Sequence, residues 1–161
     1  MLNSKFHTVD AKKALNIVAG QCSKKEYCSS DVLSKLRRWE LEEKDIAEIM
    51  AFLIKNRFLD DTRFAEAYAR DKFRFNRWGK IKIAQMLRRK QVSDSVIEQA
   101  LVTLPAEDTD ATCLELLRQK NKSVKDEDPY KRKAKLIRFA LSRGFDYETV
   151  NRCLSHITDF F

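Results

Sequence analysis

Glycine and proline are nearly missing from this chain, with three and two residues among 161. So few turn formers leave little material for the tight turns of a sheet protein. Histidine is as scarce: only His7 and His156 are present. The four cysteines, Cys22, Cys28, Cys113 and Cys153, form no CxxC pair. With the two histidines they make no metal-ligand spacing, so neither metal nor cofactor is expected. The thiols read as small apolar residues instead. No apolar run approaches the roughly 18–20 residues of a membrane span. The start, Met1 to His7, lacks the apolar core of a signal peptide. A cytoplasmic protein is the expectation. Gly-rich phosphate loops, HExxH and the motifs of nucleophilic catalysis are absent too, so the chain reads as a non-enzyme.

What is present is charge and repetition. Charged residues make up 35% of the chain, and the formal net charge is +8. Residues 83–101 are echoed at 136–154: Ile83 aligns with Leu136, Lys90 with Arg143, Val92 with Phe145, Ile97 with Val150 and Leu101 with Leu154. A weaker copy starts at Val32, where Leu36-Arg37-Arg38 matches Leu87-Arg88-Arg89. A period in this range signals stacked helical units, each too small to bury a good core alone. The expected fold is all-α: three tandem three-helix repeats in an elongated, curved, right-handed or solenoid-like rod. The expected divisions are 1–56, the most diverged repeat, then 57–104 and 105–161.

Helix periodicity and punctuation predict the elements. A short helix covers about 11–20, with Gly20 as its stop. Ser29, Ser30 and Asp31 offer N-caps to a helix carrying Val32, Leu36 and Trp39. Glu42–Ile54 shows an apolar stripe of Ile46, Ile49, Met50 and Leu53, with acids at its positive end. A helix over 61–75 would bury Phe64, Ala67, Tyr68 and Phe75. Gly79 precedes a helix of about 80–90, and Ser93 caps the next. The last unit begins near Asp108–Asp110. Asn121–Asp128 is a polar loop. Asp128-Pro129 opens a helix that runs to about Arg143. Gly144 follows as its C′ residue, and Asp146 caps the closing helix.

Charge alternates with the repeat. Residues 1–39, 62–100 and 118–143 are net basic; 40–61, 101–117 and 144–161 are net acidic. Such phasing aligns bases into a stripe suited to an anionic partner. Arg70, Lys72, Arg74, Arg77, Lys80 and Lys82 flank Gly79, with Phe73, Phe75 and Trp78 interleaved. Bases beside aromatics are what a phosphate-tracking, base-stacking surface needs. Arg88 and Arg89, with Lys90, end one helix, where cations also suit the dipole. Lys131, Arg132 and Lys133, with Lys135 and Arg138, open another, against the dipole. A solvated charged face is the alternative for every cluster. Phe64, Tyr68 and Phe75 read as core.

The stretch Leu59-Asp60-Asp61-Thr62-Arg63-Phe64-Ala65, followed by Gly79, Ile83, Leu87 and Val92, resembles the central signature of the RecX family of recombinase regulators. Those signature residues read as structural: one aspartate caps a helix, with Arg57 and Arg63 near enough to pair. The match departs at Gln91, where the family has glycine; there either a left-handed cap forms at some cost or the helix ends differently. The resemblance implies a monomer that lies in the groove of the RecA–DNA filament. It implies restraint of strand exchange, ATP hydrolysis and co-protease activity, with single- or double-stranded DNA met through the filament. Two other readings stand beside it: a helix-turn-helix protein that binds duplex DNA alone, and a helical scaffold for an acidic protein.

Overall fold

The structure is a computed structural model that describes residues 9–157; His7 and the rest of Met1–His7 lie outside the described residues. Among those residues the chain forms nine α-helices and no strand. They fall into three triplets in chain order. The first is α1 (Ala11–Cys22), α2 (Ser29–Arg38) and α3 (Glu43–Lys55). The second is α4 (Asp61–Asn76), α5 (Lys80–Arg89) and α6 (Asp94–Val102). The third is α7 (Ala106–Ser123), α8 (Pro129–Ser142) and α9 (Tyr147–Leu154).

Each triplet wraps its own apolar cluster. Ala14, Val18, Leu36, Ile46 and Leu53 form the first. Phe64, Ala69, Ile83, Leu87 and Ile97 form the second. Leu117, Leu136, Phe145, Val150 and Leu154 form the third. The signature straddles two of them: Leu59 sits in the first cluster, whereas Phe64 and Ala65 sit in the second. Cys28 leaves its own triplet to fill the second cluster. Three cores in series, rather than one, are what repeats of this size produce.

Aspartate caps open four of the nine described helices, α1, α4, α8 and α9. Asp60 accepts from the backbone N–H of Thr62 at 2.9 Å and of Arg63 at 3.2 Å. Asp128 accepts from Tyr130 N at 2.9 Å, and Asp146 from Thr149 N at 2.7 Å. A side-chain oxygen at this position satisfies N–H groups that the helix leaves open. The left-handed residue after the second helix recurs in every triplet, as Glu40 (φ 56), Gln91 (φ 61) and Gly144 (φ 95). Gln91 therefore takes the left-handed conformation, and α5 ends as α8 does. Val92 N–H donates to Leu87 C=O at 3.1 Å, and Phe145 N–H to Ala140 C=O at 3.3 Å.

Several expectations fail for local reasons. Gly20 does not stop α1, which continues to Cys22; nothing bulky surrounds it, and an exposed glycine is tolerated in a helix at modest cost. Cys28, not a serine, is the N-cap of α2; the Ser29 N–H goes to Asp61 and the Ser30 hydroxyl to the Lys90 carbonyl. Ser93 is the N-cap of α6, but its hydroxyl makes no capping bond and faces the Ser95 hydroxyl instead. The seventh helix starts at Ala106, before Asp108, and runs to Ser123 into the expected loop. Phe75 is 74% exposed, not core. At this end of α4 it is Phe73 and Trp78, not Phe75, that pack against the second core. Arg63 does not pair with the adjacent aspartates; it reaches Glu26 at 3.0 Å and Arg57 C=O at 2.9 Å.

Candidate functional site

The triplets join through the same part of the repeat. At the first joint, Ser29 N–H donates to Asp61 Oδ1 at 2.8 Å, and Ser30 Oγ donates to Lys90 C=O at 2.6 Å. Lys90 Nζ returns to Asp31 Oδ2 at 2.8 Å. At the second joint, Gly79 N–H donates to Arg143 C=O at 2.7 Å, and Ile81 N–H to Gly144 C=O at 3.0 Å. Lys90 and Arg143 are equivalent positions of the repeat. In both joints the start of one triplet's second helix meets the end of the next triplet's second helix. At the second joint the open N–H groups of one end and the open carbonyls of the other satisfy each other directly; at the first, the side chains of Asp61 and Ser30 stand in for one partner of each bond.

The bases around Gly79 take unequal positions. Arg70 and Arg74 are exposed. They border a cleft with Phe73 and Arg77 on one wall and Asp108 and Glu115 on the other. Arg77 is half-buried, left-handed at φ 54, and held by Glu115 at 3.3 Å and Gln119 at 3.4 Å. It therefore spends its charge inside the fold. Lys72 and Lys82 flank Trp78, with their ammonium groups 5.0 and 4.6 Å from the ring centroid. Each such contact contributes about 0.5–1 kcal/mol at exposed sites and restrains a long side chain. Lys80 is half-buried beside them. Among the signature residues, Leu59, Phe64, Ala65, Ile83 and Leu87 are buried core, Asp60 is a cap, and Asp61 and Gly79 are joint residues.

On α5, Arg88 is paired with Asp94 at 3.1 Å, and Arg89 is exposed. On α8, Lys131 is exposed and Lys133 half-buried. Arg132 donates to Asn121 at 2.9 Å, and Lys135 pairs with Asp126 at 3.2 Å. Lys135 and Arg138 line a second cleft whose opposite wall carries Lys120 and Lys125 of the α7 end. Lys120 Nζ and the Arg143 guanidinium stand 5.1 and 5.2 Å from the Phe139 ring centroid. Sequence reasoning did not single out Lys120, Lys125 or Arg143 as a site. The missed signal was the length of α7, which carries Lys120 to face α8.

The third helices of the second and third triplets offer no basic reading face. The α6 segment contains neither Lys nor Arg. The single Arg152 of α9 is clamped by Asp110 through two hydrogen bonds of 2.9 Å. Arg152 in turn holds the Asp110 carboxyl below its usual range. No group of three or more His, Cys, Asp or Glu among the described residues is placed to hold a metal ion. No described helix is long and apolar enough to cross a membrane. Burial pushes the thiols of Cys28, Cys113 and Cys153 up from their ordinary value.

Serial three-helix units, each with its own core, define a helical-repeat protein. Comparison with known proteins narrows this class. Residues 60–101 match the family model of the second three-helix domain of RecX, and residues 107–154 that of the third. A regulatory protein RecX of Chlorobium phaeobacteroides is 30% identical over 148 residues, covering 92% of this chain and 95% of that relative. One from Clostridium perfringens is 34% identical over 131 residues, and this stretch spans only 61% of its length. The crystal structure of RecX from Lactobacillus salivarius shares the fold, with a TM-score of 0.81 over 90% of this chain and 94% of that one, at 22% identity. Another RecX crystal structure gives a TM-score of 0.83 over 92% of this chain and 73% of that one, also at 22% identity.

The chain belongs to the RecX family of regulatory proteins.

Proposed function

We propose that this protein binds the RecA–DNA filament in the cytoplasm as a monomer and restrains the recombinase without catalysing a reaction itself. Three-helix units 1–56, 57–104 and 105–161 would lie in series along the filament. The observation that carries the reading is family membership across the second and third units. The basic surface is compatible with it. Lys72 and Lys82 are braced on Trp78 beside the second joint, and Arg70 and Arg74 project from the neighbouring face of α4. A filament offers both phosphates and acidic side chains to such groups, and serial units match its length. The bare third helices α6 and α9 argue against a helix-turn-helix protein reading duplex DNA by itself. A steady-state ATPase assay with the cognate recombinase on single-stranded DNA tests the proposal. Hydrolysis and strand exchange should slow at less than one molecule per recombinase subunit. No effect at equimolar amounts overturns it.

A further inference from the structure

Two cation–aromatic groups far apart in the chain are brought together by the second joint. One is Lys72 and Lys82 around Trp78; the other is Arg143 and Lys120 around Phe139. Gly79 N–H donates to the Arg143 carbonyl at 2.7 Å, which ties Trp78's neighbour to the residue that stands over Phe139. Gly144 packs so tightly on Lys82 that a β-carbon there would collide with the Lys82 Cβ. Lys82 and Arg143 thus stand on the two sides of one rigid glycine contact. Beyond Arg143 and Lys120 the surface continues into the cleft walled by Lys125, Lys135 and Arg138.

We infer that these groups form one continuous track, from Lys72 across the Gly79–Gly144 contact into the α7–α8 cleft, that holds the sugar-phosphate backbone of a single nucleic-acid strand. The inference rests on the filament-binding reading and specifies where that surface meets the strand. Three observations favour this occupant. The lining of the α7–α8 cleft contains no carboxylate, and of its bases Lys135 is paired with Asp126 while Lys120, Lys125 and Arg138 have no carboxylate partner within 4.0 Å among the described residues. The cleft at Arg70 and Arg74 differs, because Asp108 and Glu115 line it and offset its charge. The track is also mostly lysine, a compact charge that suits phosphate oxygens at any angle. The arginines Arg63, Arg77, Arg88 and Arg152 are instead engaged with carboxylates of this same chain. Finally, the bases lie on α4, α5, α7 and α8, on both sides of a helix joint, and a flexible single strand adapts to such a set more readily than a stiff duplex.

The ring contacts have a purpose in this arrangement. Lysine loses about 1.5–2 kcal/mol of rotamer freedom when fixed. An ammonium already resting on Trp78 or Phe139 has surrendered part of that freedom before the strand arrives. The glycine contact then sets the separation of the two groups, as a spacer between successive phosphates must.

The test uses the intact protein and a fluorescent oligothymidylate, with anisotropy read across a salt series. Replacing Lys82, Lys120 and Lys125 with Gln should weaken binding at least about tenfold near 50 mM salt and flatten the log–log salt slope by about two, at ~0.7 per lost phosphate contact. Gln at Lys12, Lys44 and Lys55, all exposed on α1 and α3, removes the same charge and should leave the slope unchanged. Equal slopes in the two triple variants overturn the track. So does tighter binding of a matched duplex than of the single strand. Loss of binding to DNA-free recombinase with oligonucleotide affinity intact would identify an acidic protein surface as the occupant and likewise overturn it. A folding-independent arm uses the wild-type chain: reductive methylation read by mass spectrometry should show Lys82, Lys120 and Lys125 protected by the oligonucleotide, and Lys44 not. Absence of that protection under saturating oligonucleotide also overturns it. The recombinase ATPase assay is read separately. A protein that slows the recombinase while its track variants bind the strand normally refutes the track alone. One that binds the strand through the track but leaves the recombinase untouched refutes the filament reading alone.

Discussion

Gly79 and Gly144 meet so closely that a β-carbon on Gly79 would collide with the carbonyl carbon and oxygen of Gly144. Gly144 also lies at φ 95, a conformation that side chains resist. The obstacle on both sides is backbone or the root of Lys82, so a flexible tip cannot move aside. Gly79→Ala should destabilise the chain by about 1–3 kcal/mol, the range for forced overpacking. Gly144→Ala should cost at least as much, because a left-handed alanine adds to the collision. Urea denaturation followed by helical circular dichroism checks both. A midpoint equal to wild type for Gly79→Ala would show that the joint is loose.

Gln91 occupies the position that Gly144 fills in the next unit, at φ 61 and exposed. Nothing in its side chain offsets the left-handed conformation. Gln91→Gly should therefore stabilise the protein by about 0.5–1 kcal/mol, less the greater freedom glycine regains on unfolding. The same change at Gln99, exposed inside α6, should destabilise by a similar amount. Opposite signs at the two sites, read as urea midpoints, are the expected result.

Asp60 satisfies two N–H groups at the start of α4 and has no other role in the geometry. Asp60→Ala should cost about 1 kcal/mol, and Asp60→Ser much less, since serine also caps. Thermal unfolding of the three proteins orders them. An alanine variant as stable as wild type would remove capping as the reason for this part of the signature.

The Asp31–Lys90 pair ties the first triplet to the second and gives that joint a pH window. Burial pushes the Asp31 carboxyl up, but hydrogen bonds from Lys90 and Cys28 and the Lys90 charge outweigh it, so the net direction is below the usual 3.8. The hydrogen bond to Asp31 leads in raising Lys90 above 10.5, with burial opposing it. A lowered acid stabilises above its unfolded value and loses that contribution as pH falls through its folded value. A raised base stabilises below its unfolded value and loses the contribution as pH rises through its folded one. The pair therefore holds from above 3.8 to below 10.5. Lys90→Met should cost about 0.2–1 kcal/mol at neutral pH, the range for partly exposed pairs. That difference should shrink toward zero as pH falls through the lowered Asp31 value and the carboxylate takes up a proton. A difference constant down to acid pH would assign the effect to packing on Phe64, whose centroid lies 5.9 Å from Lys90 Nζ.

Much of the architecture was legible because it is local. Stripes such as Ile46, Ile49 and Leu53 bury themselves wherever a helix forms, and all three are core. Asp60, Asp128 and Asp146 cap the helices they precede, since a cap needs only its own first turn. Phe75 was misjudged for the same reason: its helical phase matches Phe64, but phase is silent about which side chains at that end of the helix meet the core, and Phe73 and Trp78 do. Ser29 and Ser30 were misjudged too. They have the chemistry of caps, yet Asp61 and the Lys90 carbonyl claim them.

The sequence by itself determined nine helices, a threefold repeat, an excess of base and a family signature. Each of these depends on residues within a few turns of one another. Only the tertiary structure decided which charges are spent and which remain available. Arg77, Arg88 and Arg152 look like any other cation in the chain, but carboxylates 6 to 42 residues away hold them. It also brought Lys82 to Arg143 and set Lys120 opposite Arg138, groups that no spacing rule connects. The physical reason lies in the joints. The second is built from backbone N–H and C=O groups that every residue carries, selected by close approach at Gly79 and Gly144, and the first from side chains 32 to 60 residues apart in the chain.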